Sequence, residues 1–150
     1  MTKLDFPPKP LPRITMINAP FFEAAAQGRL LLQRCRPCGH LFYFPRPACP
    51  RCFSIDLDWE EVSRLGTVYS YAFVHRPQHP AFMDQVPIKL VAVRLDAGPL
   101  IVSSLVDEEA VDVAIGDRVE AVFEVFAAGV ALPRFRMLPR DRRETSTVVW

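Results

Sequence analysis

The 150-residue sequence is short of lysine, of net charge and of long apolar runs. Lysine occurs only at Lys3, Lys9 and Lys89, so all but three of the 18 basic residues are arginine. The formal net charge is +1, which argues against a general nucleic-acid coat, since that function carries a strong basic excess. No window approaches the roughly 18 apolar residues of a membrane span. The opening "MTKLDFPPKPLP" lacks the apolar core of a secretory signal. A soluble, cytoplasmic protein is the expectation. Catalytic signatures are also missing: there is no Gly-x-Ser-x-Gly, no glycine-rich phosphate loop and no His-Glu-x-x-His. The three histidines, His40, His75 and His79, are scattered, and each reads as structural or solvent-facing. Asp107, Glu108 and Glu109 read as a solvated turn. A free-standing thioesterase or redox enzyme therefore has no nucleophile–base pair to build on.

What the sequence does have is four cysteines, all within "CRPCGHLFYFPRPACPRC", Cys35 to Cys52. They form two Cys-x-x-Cys pairs with ten residues between them. In a reducing compartment clustered cysteines bind metal rather than pair as disulfides. Zinc takes four such ligands as a tetrahedron. Each pair bends the backbone around the ion, and Gly39 supplies the tight turn after Cys38. Cys35, Cys38, Cys49 and Cys52 are the expected ligands of zinc, with iron the alternative for a four-cysteine set. Four thiolates leave no position for water or substrate, so the metal is expected to be structural. The ten intervening residues allow a short two-stranded excursion.

Around that motif the chain divides into four parts. Residues 1–17 hold Pro7, Pro8, Pro10 and Pro12 and are expected to form an extended arm. Residues 18–58 are a short helix plus the metal ribbon. Asn18 suits the helix N-cap, Pro20 the first turn and Gly28 the stop; "RLLLQR" then leads into the first knuckle as a strand. Residues 59–138 carry five strand signals: Gly66–His75, Ile88–Leu95, Leu100–Val106, Arg118–Phe126 and Leu132–Leu138. Turns at Asp96–Pro99 and Gly116–Asp117 separate them. A five-stranded barrel of the OB type satisfies these strands because closure removes sheet edges; a small sandwich is the alternative. The connection Arg76–Pro87 is expected to be a loop. Residues 139–150 form a polar tail ending in Val148, Val149 and Trp150.

Arg34, Arg36, Arg46 and Arg51 surround the knuckles, with Phe42, Tyr43, Phe44 and Phe53 among them. Arginine holds phosphate and carboxylate in bidentate fashion, so this rim is either a solvated surface or an anion-facing patch. Zinc ribbons and OB barrels also bind single-stranded nucleic acid, which is the competing reading.

Taken in order, "GRLLLQRCRPCGHLFYFPRPACPRC", Trp59, "SRLGTVYSYAFVH", "KLVAVRLDAGPLIVSSLV" and "IGDRVEAVF" resemble the zinc-ribbon OB-fold proteins associated with acyl-coenzyme A enzymes. The resemblance covers roughly residues 20–138, and one departure is Val86-Pro87-Ile88, where the family commonly has Pro-Tyr. It implies an N-terminal helix, a rubredoxin-like zinc ribbon and an OB barrel. It also implies a subunit without activity of its own, required in a hetero-oligomer with a CoA-thioester enzyme. The implied partner is a thiolase-superfamily acyltransferase or aldolase, or a hot-dog-fold enoyl-CoA hydratase. On that reading Arg34, Arg46, Arg51 and Phe44 face the coenzyme A thioester as a shared ligand.

Overall fold

The computed structural model describes residues 7–106, 112–126 and 129–140. The first six residues of the arm, the Asp107–Glu109 carboxylates and the apolar end at Val148–Trp150 lie outside them. From Pro7 the chain runs without regular structure into a turn before helix α1, Ala19–Ala26. Asn18 occupies the N-cap position, but its side chain does not cap the helix. Its carboxamide instead accepts from the Thr15 amide at 2.7 Å and donates to the Arg13 carbonyl at 3.0 Å, tying down the preceding turn. Gly28, at φ +74°, ends the helix, and the Arg29 amide reaches back to the Ala24 carbonyl at 2.9 Å.

Three strands make the ribbon sheet, in the order β2-β1-β3: β1 Leu30–Cys35, β2 Leu41–Phe42 and β3 Leu57–Val62. All pairings are antiparallel, and β1 matches β3 from Leu30↔Val62 to Cys35↔Leu57. The stretch between the knuckles holds one strand, not two, because β2 pairs back across the first knuckle onto β1.

Five further strands follow: β4 Leu65–Val74, β5 Ile88–Leu95, β6 Leu100–Ser104, β7 Arg118–Val125 and β8 Ala131–Met137. Their order is β6-β5-β4-β7-β8. A parallel bridge between Leu105 and Phe135 brings the two outer strands together. Side chains complete that seam. Arg134 donates to the Ser104 hydroxyl and the Leu105 carbonyl, each at 2.9 Å, and Ser103 donates to the Pro133 carbonyl at 2.7 Å. The expected five-stranded, nearly closed barrel is what the chain forms. The connection expected to be irregular carries a 3-10 helix, Pro80–Gln85, whose first amide is capped by His79 Nδ1. No helix of the described residues is long and apolar enough to cross a membrane.

The ribbon and the barrel share one core. Phe21 and Phe22 of α1 and Leu30 and Leu32 of β1 pack in the same cluster as Val68, Val93, Val119 and Phe135 of the barrel. The helix therefore joins the two parts, and truncating a buried phenylalanine of this kind costs about 3–5 kcal/mol. The cage has a separate small cluster, of Cys35, Phe42 and Cys49. One strand extends beyond the barrel wall: β4 pairs with β5 as far as Val74 but with β7 only at Leu65–Thr67. Gly66 of β4 lies tight against β5. A Cβ there would lie 2.5 Å from Val93 Cγ1 and 2.8 Å from the Arg94 carbonyl oxygen. Backbone cannot yield as a side chain does, so Gly66→Ala is expected to destabilise the protein by about 1–3 kcal/mol in urea unfolding. An unchanged midpoint would show that β4 and β5 can separate without loss.

Candidate metal centre and its arginine rim

The ribbon sheet delivers the cysteines. Cys35 ends β1, a tight turn carries Cys38, and a second turn of the same build carries Cys49 and Cys52. The two knuckles repeat one hydrogen-bond pattern. The Gly39 amide donates to the Cys35 carbonyl at 2.8 Å, and the Phe53 amide donates to the Cys49 carbonyl at 2.9 Å. The Cys35 amide then donates to the His40 carbonyl, and the Cys49 amide to the Ser54 carbonyl, both at 2.9 Å. The residue after each pair takes a left-handed conformation, Gly39 at φ +71° and Phe53 at φ +62°. That conformation suits glycine and costs a residue with a Cβ about 1–2 kcal/mol.

The four sulfurs lie within 4.8 Å of one another, with Cys35–Cys52 at 3.4 Å and Cys38–Cys49 at 3.6 Å. A disulfide needs about 2.05 Å, so these are free thiols. Four sulfurs about 2.3 Å from a central zinc make a tetrahedron with edges of about 3.8 Å. The cage therefore fits zinc in both donor type and spacing. Electrostatics within it are uneven. Burial pushes the Cys35 thiol up to about 12. Burial also pushes Cys49 upward, but the backbone amides of Cys52 and Arg51 outweigh it and bring that thiol down to about 7. The Arg51 amide stands 3.4 Å from Cys49 Sγ. Backbone amides thus favour negative sulfur at Cys49, whereas burial opposes it at Cys35.

The arginine rim divides in two. Arg34 grips both carboxylate oxygens of Glu60 and donates to the Gly39 carbonyl at 2.8 Å. Arg36 is bidentate on Asp58, with both contacts at 2.6 Å, and stands 3.6 Å from Asp56. These two residues lock β1 to β3 and the first knuckle. The guanidinium groups of Arg46 and Arg51 are exposed, with no acidic partner among the described residues. Arg46 is nevertheless held in place. Buried Gln33 accepts from its amide at 2.7 Å and donates to its carbonyl at 3.1 Å. Phe44 leaves 41% of its surface open and makes an edge-to-face pair with Phe21 of α1 at a centroid distance of 6.1 Å. Phe42 is buried against the cage, with His40 stacked on it at 5.8 Å. Of the four residues expected to face coenzyme A, Arg46, Arg51 and Phe44 are thus exposed, whereas Arg34 is already bound.

Sequence reading missed Gln33 as the clamp and Glu60 and Asp58 as the counter-ions. The only signal for the latter was acid on one side of the knuckles and arginine on the other. A cavity of about 600 Å³ lies elsewhere, at the β6–β8 seam, lined by Val86, Pro87, Ile88, Lys89, Leu105 and Arg134. Val86, Pro87 and Ile88, the segment that departs from the resembled family, line it, whereas the four residues expected to face coenzyme A do not.

Comparison with known proteins follows this geometry closely. The model of the ChsH2 rubredoxin-like zinc ribbon domain matches residues 22–58, and that of the ChsH2 C-terminal OB-fold domain matches residues 59–124. A DUF35 domain-containing scaffold protein of Methanothermobacter thermautotrophicus is 33% identical over 91 residues, 60% of this chain and 68% of its own. The chain belongs to the DUF35 family. A solved DUF35 relative, from the Ltp2–ChsH2(DUF35) aldolase, is 39% identical and superposes with a TM-score of 0.72 over 85% of this chain and 98% of its own. A protein of Thermomonospora curvata named as a probable enoyl-CoA hydratase alpha subunit is 45% identical over 98 residues, 65% of this chain. This DUF35 chain spans 30% of that relative's length.

Metal and protons should act on the cage in predictable directions. Asp58 and Glu60 titrate below the usual carboxylate range because Arg36 and Arg34, respectively, donate hydrogen bonds to them. A lowered folded-state value means their contribution is complete above the ordinary range and lost as pH falls through it. Thiolate ligands likewise lose metal to protons in acid. The purified protein is expected to carry one zinc per chain. Removing it should lower the thermal midpoint sharply, since structural zinc contributes on the order of 10 kcal/mol. Stability should also fall as pH drops below about 5. Metal analysis and melting curves with and without chelator check both, and an unchanged melt after complete zinc removal would contradict the structural role.

Proposed function

We propose that this chain is a non-catalytic accessory subunit that binds a CoA-thioester enzyme and completes its acyl-CoA site. The observation that carries this reading is the 39% identity to the DUF35 chain of the Ltp2–ChsH2(DUF35) aldolase, over nearly the whole of that chain. A thiolase-superfamily aldolase or acyltransferase is accordingly the proposed partner. The arrangement of the rim supports the same reading. Arg46, clamped through its backbone by Gln33, offers a phosphate a guanidinium that has no acidic partner among the described residues. Phe44 stands two residues away, partly exposed, where it would line the pantetheine path. Arg34 serves as a strut to Glu60 rather than as a ligand. A thiolate cage of this kind belongs in a reducing compartment, which supports a cytoplasmic location.

One observation favours a second partner class. The Thermomonospora curvata relative is named as a hydratase subunit, so a hot-dog-fold enoyl-CoA hydratase is the alternative. The single-stranded nucleic-acid reading finds little support in the charge pattern. Arg36, Arg118, Arg136 and Arg140 are spent on Asp58, Asp96, Glu120 and Asp117, respectively, so these four cations are already paired within the chain.

Co-expression with a thiolase-superfamily aldolase, and separately with a hot-dog-fold hydratase, tests the reading. Co-elution with the aldolase is expected, with acyl-CoA turnover appearing only in the complex. Arg46→Ala is expected to raise KM for the acyl-CoA about tenfold while leaving kcat nearly unchanged, as loss of one phosphate contact would. A chain that stays separate from both enzymes, with no change in melting on adding coenzyme A, would overturn the proposal.

A further inference from the structure

The two knuckles of the cage make an internal comparison. They share turn geometry, amide bonding and φ sign, yet their surfaces differ. After the first pair stands Gly39, at ease in its left-handed conformation, and its neighbouring Arg36 is neutralised by Asp58 and Asp56. After the second pair stands Phe53, held at φ +62° with 78% of its surface exposed. Two residues on, Ile55 is 83% exposed. The arginine of this knuckle, Arg51, has no carboxylate partner among the described residues. Folding gains nothing from an exposed phenylalanine where glycine would sit without strain. Strain kept at a surface position points to a role outside the fold.

The loop is also rigid. The Phe53 amide is held by the Cys49 carbonyl, the Ser54 carbonyl by the Cys49 amide, and the Asp56 amide by the Ser54 hydroxyl at 3.1 Å. The Asp56 carbonyl in turn accepts from the Arg36 amide at 3.0 Å. Apolar side chains on a loop already fixed by a metal cage cost little further ordering on binding.

We infer that the second knuckle is the docking point for the catalytic subunit: Phe53 and Ile55 enter an apolar pocket on that protein, and a carboxylate at the pocket's rim pairs with Arg51. The occupant follows from charge. Arg36 has its counter-ions among the described residues, whereas Arg51 has none there, so the complementary surface is acidic at its edge and apolar at its centre. An uncharged aromatic centre within a charged rim is the usual anatomy of a specific protein interface. The inference rests on the accessory-subunit reading. It assigns the second knuckle to the partner protein and leaves Arg46 and Phe44 to the ligand.

The test uses the full chain and the Ltp2 aldolase subunit of the solved relative as probe. Phe53→Gly, Arg51→Glu and Arg46→Ala are compared with the wild type for zinc content, thermal midpoint and affinity by calorimetry. Phe53→Gly is expected to keep its zinc, to melt at the same temperature or higher, and to bind the probe at least about thirtyfold more weakly. Arg51→Glu should weaken binding about tenfold or more, while Arg46→Ala should leave association unchanged. If Phe53→Gly binds as tightly as the wild type, the docking inference is wrong and the accessory reading stands. If Phe53→Gly loses zinc or melts lower, Phe53 is a structural residue and the inference is likewise overturned. If the wild type binds neither this probe nor a hot-dog-fold hydratase, the accessory reading fails and takes this inference with it.

Discussion

Four sulfurs confined within 4.8 Å set the position of almost everything outside the barrel. The cage fixes where β1 ends, folds β2 back across the first knuckle and brings β3 alongside β1. That sheet aligns Gln33 to clamp Arg46, and Arg34 and Arg36 to meet their carboxylates. A ribbon of this length has too little apolar surface to hold such a shape unaided. Part of the deficit is met by the metal site and part by borrowing. Leu30 and Leu32 are buried in the same cluster as the barrel valines, with Phe21 and Phe22 packed beside them. The consequence is mechanical coupling: the platform cannot swing independently of the barrel without opening a shared core.

The barrel was legible in the sequence because its determinants are local. "KLVAVRL" and "LIVSSLV" are rich in β-branched residues, Asp96–Pro99 punctuates them, and the Ile88–Leu95 strand falls where it was expected. The cysteine spacing was equally readable, since tetrahedral ligation constrains residue type and separation together. β3 was not. "LDWEEV" is acidic, half-exposed and weak in strand formers. It becomes a strand because Glu60 meets Arg34 of β1 while Asp58 and Glu61 meet Arg36 and Arg29 at the two ends of that strand, which a one-dimensional pattern does not display. The 3-10 turn at Pro80–Gln85 was hidden for a related reason: three prolines nearby signal a loop, while the cap that organises it is a histidine.

The division of the arginine rim was also beyond sequence reading. Arg34, Arg36, Arg46 and Arg51 look equivalent as a list. Glu60 stands 26 residues from Arg34, and Asp58 stands 22 residues from Arg36. Only the β1–β3 register brings these pairs together and so shows which cations are already spent. Asn18 teaches the same lesson on a smaller scale. It is a good capping residue at a capping position, yet its side chain serves the preceding turn.

The overhang of β4 has a consequence for the chain on its own. From Tyr69 to Phe73 the strand lies beyond the part paired with β7, and Tyr69, Tyr71 and Phe73 are all exposed. No residue from Leu65 to Val74 is charged, and none is proline. The strand therefore lacks the usual guards against edge-to-edge pairing. This short neutral stretch therefore offers a route to self-association that needs no global unfolding, so a preparation can melt at a high temperature and still have a short shelf life.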